Sequence, residues 1–233
     1  MSEFFWLDHG SSEQLRGQIL KSDAIDERVQ CPVSPDHLPR SDRALASRVN
    51  PHLDVEVRHS KRDLMMIWAG IAHCLVHTEL LAEIRSAGFT GYSVRPATVR
   101  FRDGFLSHEY QRLGIRGWGG LARPESGVKQ VGDCKGCLHR RWSAVLDPTQ
   151  LIDRNQWNGD DCFIVWPLPN FIFVSKRLAE FLISSKVRSC AIHGLEAAKG
   201  LRFVGGDGFI VGSLGATLPR ELALKFGKPL GIV

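Results

Sequence analysis

A low-identity internal repeat constrains the fold more than any other feature of the chain. Displaced by 98 positions, Asp63-Leu-Met-Met-Ile-Trp68 lies over Asp161-Cys-Phe-Ile-Val-Trp166. With no gap, Val76 then falls on Val174, Leu80 on Leu178, and Phe89 to Val94 on Val187 to Ile192. Each copy opens on an acidic residue and a run of β-formers through a tryptophan. A second apolar strand follows, Cys74 to Val76 or Phe171 to Val174, and leads straight into a helix. The helices, predicted over about 78–87 and 176–185, carry Leu80, Leu81 and Ile84, or Leu178, Phe181 and Leu182, at helical spacing. A break and a short strand close each unit. The reading is an α+β fold with mixed sheets and helices, one two-lobed domain over 1–233. In it, strand–strand–helix–strand repeats at 63–97 and 161–196 are separated by a cysteine-knuckle insertion at 117–142. The alternative is chance similarity of two generic αβ stretches.

Composition narrows the class. With 43% hydrophobic and 24% charged residues, the chain is neither low-complexity nor collagen-like. Its longest apolar run, Leu64 to Val76, includes His73 and stops at His77, short of the roughly 18 to 20 residues a membrane span requires. Met1 to Asp8 holds no basic segment followed by an apolar one, so no secretory signal and no membrane association are expected, and the location expected is cytoplasmic. Six cysteines in 233 residues are too dilute for a disulfide scaffold, which leaves free thiols or a metal site.

The one local motif with chemistry is Cys134-Lys-Gly-Cys137. Two thiolates two residues apart on a tight turn grip one side of a tetrahedral zinc, and Gly136 permits the turn. Cys31 is the candidate third ligand, and His37 or His139 the fourth; Ser34 stands where Cys31-x-x-Cys would be completed. A knuckle without metal, held as a hydrogen-bonded turn, is the competing reading. A thioredoxin-like role fits less well, because a basic turn-like stretch surrounds the motif instead of a strand and a helix start. Cys74, Cys162 and Cys190 lie in apolar strand-like runs and read as core filler.

Charge is concentrated. Between Arg95 and Arg141 ten Lys/Arg face four acids, while the whole chain carries only +5. One reading is an anion-facing patch for nucleic acid or an acidic protein; the other is a solvated face with arginines at strand edges. Within this segment Trp118 sits in the glycine-rich stretch 117–127, and Arg116, Trp118 and Arg123 have the composition of an interface hot spot. Alternatively Trp118 tucks into the groove between the repeats. Arg140 and Arg141 are the further candidates for partner contact.

No catalytic constellation is recognisable. His73 and His77 lack the glutamate of a metalloprotease helix and read as a strand residue and a helix start. Cys137 and His139 are too local to make a nucleophile–base pair with an orienting third group. Asp161, of the adjacent pair Asp160-Asp161, opens the second repeat and reads as a turn or strand cap. In the tail, a hairpin across Gly205 to Gly208 and a last helix between Pro219 and Gly227 are expected.

Several of these stretches resemble the double-CXXCG-motif proteins. They are Gly117-Trp-Gly-Gly-Leu-Ala-Arg-Pro-Glu-Ser-Gly127, Asp133-Cys-Lys-Gly-Cys137, Leu151-Ile-Asp through Gln156-Trp, and Asp160 to Leu178. The likeness is clearest over about 117–196 and extends weakly to Phe4 to Leu7 and Cys31-Pro. The family is bacterial, prominent in myxobacteria, and some members are immunity proteins for exchanged or secreted toxins. Leu138 stands where the family has glycine, and Ser34 where its first motif has its second cysteine. The resemblance implies a toxin as partner and supplies no catalytic residue. The function expected is neutralisation of a toxin by direct occlusion; the alternative is a zinc-knuckle protein that binds nucleic acid through the basic 95–141 segment.

Overall fold

The computed structural model describes residues 2–9, 16–22, 28–29, 31–33, 40–41, 52–58, 64–69, 73–136, 140–187, 189–198, 209–211 and 214–232. In chain order the strands are β1 (Phe4–Asp8), β2 (Arg16–Ser22), β3 (Arg28–Val29), β4 (Arg40–Ser41), β5 (Leu53–Val57), β6 (Met66–Ala69) and β7 (His73–His77). Helix α1 (Thr78–Ser86) follows, then β8 (Tyr92–Phe101), β9 (Leu106–Ile115), β10 (Gly117–Leu121), β11 (Gln130–Asp133), β12 (Arg140–Trp142), β13 (Cys162–Trp166) and β14 (Ile172–Ser175). The chain continues through α2 (Lys176–Ser184), β15 (Ala191–Gly194), β16 (Phe209–Val211) and α3 (Arg220–Gly227). The class is α+β, with mixed sheets.

Two sheets carry the architecture. Strands β2-β5-β8-β9-β7-β6 close into a barrel, and β10-β13-β14-β1-β15 form an open sheet. Their local order is alike. In the barrel β6 lies parallel to β2 and antiparallel to β7, and β9 fits between β7 and β8. In the open sheet β13 lies parallel to β10 and antiparallel to β14, and β1 fits between β14 and β15. The barrel closes because β5 pairs with both β2 and β8.

At the 98-residue offset the elements coincide: α1 and α2 span equivalent positions, and β6 and β7 correspond to β13 and β14. Facing agrees as well. Val76 and Val174 point into one shared core, while Leu75 lines the barrel and Phe173 the far side of the open sheet. Both helices bury the same three positions in that shared core, Leu80, Leu81 and Ile84 against Leu178, Ala179 and Leu182. Each helix is capped at its start, by the His77 ring on the Glu79 amide and by the Ser175 hydroxyl on the Leu178 amide. Each also ends in a left-handed residue, Gly88 (φ 70°) and Lys186 (φ 53°), with Phe89 N–H donating to Ile84 O and Val187 N–H to Leu182 O. Trp68 and Trp166 correspond in sequence but not in surroundings. Both are buried, Trp68 in the shared core and Trp166 against the C-terminal helix α3.

Two sequence expectations shift. The short strand that closes the first unit is the start of a ten-residue strand, β8, which runs on to Phe101. It runs through Pro96, which has no N–H to donate, because β5 joins only from Ala97 onward and leaves one neighbour at Pro96. The hairpin expected across Gly205 to Gly208 lies outside the described residues, as does Asp63. No described helix is long and apolar enough to cross a membrane.

Asp161 joins the two units. Its buried carboxylate accepts from Ser175 Oγ at 2.7 Å, the Thr90 amide at 3.0 Å, and Arg177 Nη2 and Nε at 2.6 and 3.2 Å. Burial pushes this carboxyl up, but Arg177, Ser175 and Thr90 together outweigh it and hold it below the usual carboxylate range. Asp161→Asn keeps the shape and removes the charge, and should cost about 2–3 kcal/mol in denaturant unfolding near neutral pH. The sign in pH follows from the lowered folded value: the stabilisation is complete above about pH 4, where the unfolded carboxyl titrates, and is lost below it as pH falls through the lower folded value. Unfolding free energies of the two proteins should therefore converge in acid; a gap that stays constant down to pH 2 would reject the role.

Candidate metal centre and binding hairpin

The basic insertion is a small sheet, with β11 and β12 antiparallel and β16 added beyond β12. Gln130 pairs with Trp142, Gly132 with Arg141 and Asp133 with Arg140, with a one-residue irregularity between the first two pairs. Cys134 therefore begins the connection at the hairpin tip. Cys31 comes to the same point from the N-terminal loop, its Sγ 3.6 Å from Cys134 Sγ. Gly136 makes this approach possible: a Cβ there would stand 2.3 Å from Val33 Cγ2 and 3.2 Å from Pro32 Cγ.

Two thiolates each about 2.3 Å from a tetrahedral zinc stand about 3.8 Å apart, so the Cys31–Cys134 spacing suits such a site. Cys137, His37, His139 and Ser34 lie outside the described residues. Among the described residues no group of three His, Cys, Asp or Glu side chains is in metal-holding geometry.

The partner-contact candidates separate. Arg116 and Arg141 are exposed, as are Lys129 and Lys135 on the hairpin. Arg123 pairs with Glu125 at 3.3 Å, and the Arg140 guanidinium donates to the Gly231 carbonyl, which ties the hairpin to the C-terminal segment. Trp118 overturns the hot-spot reading. It is 4% exposed, stacks on Phe226 of α3 with ring centroids 5.5 Å apart, and belongs to the core under that helix. Nor does it fill a groove between the repeats. The backbone of its edge strand, β10, is held by the loop before β13: Trp118 N–H donates to Asn158 Oδ1 and Leu121 N–H to Gln156 Oε1.

The ten basic residues do not form one patch. Arg95, Arg100 and Arg102 are exposed on the barrel hairpin β8–β9, while Arg112 is 2% exposed in β9, its Nε donating to His73 Nδ1 at 3.1 Å. Burial lowers the Arg112 guanidinium to about 10, which leaves it cationic at neutral pH. Nothing in the local sequence marks Arg112 as different from its neighbours; only strand alternation from Tyr110 inward hints at it.

A polar line on the outer barrel surface carries no mark in the sequence. His52 Nε2 is 3.1 Å from both Asp54 Oδ1 and Thr98 Oγ1, and Thr98 Oγ1 is 3.5 Å from His108 Nδ1. Carboxylate and hydroxyl address the same ring nitrogen, whereas a nucleophile–base–carboxylate relay needs opposite ones, so this line is not such a relay. Asp160 and Asp161 likewise have separate partners, Asn158 and the Arg177 network.

No protein-family model matches the chain, and a search of the curated proteins found no match.

Two outcomes test this site. Trp118→Ala should destabilise the fold by about 3–4 kcal/mol, as expected of a buried aromatic; loss of partner binding without loss of stability would restore the surface role. A zinc centre here requires one zinc per molecule in the purified chain, absent from Cys134→Ser/Cys137→Ser; no zinc in the native protein refutes the centre.

Proposed function

We propose that this chain is a binding protein that neutralises a bacterial toxin by occluding it, with the β11–β12 hairpin and the loop at Cys31 as its contact surface. The observation that carries the reading is the 3.6 Å approach of Cys31 and Cys134, which brings that loop against the hairpin tip. A hairpin held at its tip loses less conformational freedom when it binds. Its surface is mixed. Lys129, Lys135, Arg141 and Val131 (52%) are exposed on the hairpin and Val33 (72%) on the loop, so both cationic and apolar side chains are open to a partner. Such a surface suits a partner whose contact face is acidic. Nuclease inhibitors that mimic nucleic acid are themselves acidic, and a chain of net charge +5 is not of that kind. The toxin itself comes from the double-CXXCG resemblance, because a binding surface has no obligatory residue types.

A zinc ion belongs to the proposal as a staple. Cys31, Cys134 and Cys137 would hold it, with His37 or His139 as the fourth ligand, and it would supply rigidity at the tip. The second reading is nucleic-acid binding, favoured by three exposed cations on one hairpin. It requires affinity that falls steeply with salt.

The test uses the full chain, tagged and isolated from its native lysate with and without nuclease, followed by co-expression with any toxin recovered. The expected result is a one-to-one protein complex that survives nuclease, restores growth to cells making the toxin, and weakens about 30-fold in Lys129→Glu/Lys135→Glu/Arg141→Glu. Nucleic acid alone, lost on nuclease treatment, would overturn it in favour of the second reading.

A further inference from the structure

We infer that Cys31 and Cys134 are a modification site: a small disulfide such as oxidised glutathione converts them to a protein disulfide that staples the N-terminal loop to the hairpin tip. The inference rests on the geometry of the thiols and is independent of what the hairpin binds. The two sulfurs touch at 3.6 Å although 103 positions separate them in the chain. They differ in access. Cys31 is buried at 8% exposure, whereas Cys134, at the start of the hairpin connection, is partly open to solvent. Gly136 seated on the side chains of Pro32 and Val33 keeps the loop against the hairpin connection beside both thiols.

The described cysteines elsewhere make this pair selective. Cys74, Cys162 and Cys190 lie in the shared core, and burial raises all three thiols, Cys190 to about 12. Thiolate is the reacting form, so these three resist the same oxidant. The chemistry is two exchanges. Cys134, its proton released to water, attacks one sulfur of the small disulfide; that S–S bond breaks and one small thiolate leaves. The Cys31 thiolate then attacks Cys134 Sγ of the mixed disulfide, forming the Cys31–Cys134 bond and expelling the second small thiolate. Two cysteines lose two electrons in all, and the oxidant becomes two thiols that take up the two protons. Closing so long a loop restricts the unfolded chain, so the oxidised form is the more stable one.

Trypsin makes the test unambiguous, because cleavage after Lys135 separates Cys134, in peptide 130–135, from Cys137, in peptide 136–140. The full-length chain, treated with chelator and incubated with oxidised glutathione, is alkylated and mapped without reduction. The expected product links peptide 29–40 to peptide 130–135, persists in Cys137→Ser, forms about tenfold more slowly in Gly136→Ala, and raises Tm by about 5 °C. A link between 130–135 and 136–140, loss of the cross-link in Cys137→Ser, or Cys31 and Cys134 still fully alkylated would each overturn the inference.

Discussion

The rest of the structure hangs on one buried carboxylate. Asp161 stands at the entrance to β13 and accepts from Ser175, which caps α2, from Arg177 in the first turn of that helix, and from the Thr90 amide beyond α1. The same Arg177 reaches the Gly88 carbonyl and lies over the Phe89 ring at 4.5 Å. The loop it grips is also the seam of the sheet. Thr90 O accepts from Cys162 N–H, and Gly91 O from the amides of Arg116 and Gly117. Removing a charge from water is costly unless every lone pair finds a donor, and here the donors come from both helical units. The network therefore specifies how the units meet as well as holding them.

Around that seam the two units share one core, beside the barrel's own interior and the clusters on the far face of the open sheet. The outward faces of β6, β7 and β9 meet the inner face of β1, β13 and β14, and both helices fill the space between. This explains why β13 is buried at all five positions, with no polar alternation to betray which side faces which neighbour. The differences between the units arise from the strands added to them. One receives β5 and closes on itself; the other receives β1 and is finished by a C-terminal helix that covers Trp118 and Trp166.

The candidate site shows the same division between local pattern and long-range placement. Cys134-x-x-Cys137 marks a turn by itself, and the strands on either side of it form a hairpin as such a turn requires. That Cys31 arrives at its tip depends on contacts across 103 positions, and Gly136 reads as a turn glycine until Val33 is seen where its side chain would be. Trp118 teaches the converse. A tryptophan among glycines and arginines has the composition of an exposed anchor, yet a helix a hundred residues later supplies Phe226 to cover it.

The sequence by itself determined what is local. Runs of β-formers and a period-3.6 pattern placed the strand pairs β6–β7 and β13–β14 and the helix after each, with His77 read as a helix start. It also marked Cys74, Cys162 and Cys190 as core, whereas Asp161, which reads as a turn or strand cap, is the buried partner of Arg177. The tertiary structure decided what is relational: that β5 closes a barrel, that Arg112 turns inward while Arg116 and Arg141 stay in water, and that Cys31 meets Cys134. The physical reason is that side-chain periodicity is set by each residue's immediate backbone. The environment a side chain finds depends on which distant strand or helix packs over it, and that choice is made by the summed burial of the whole chain.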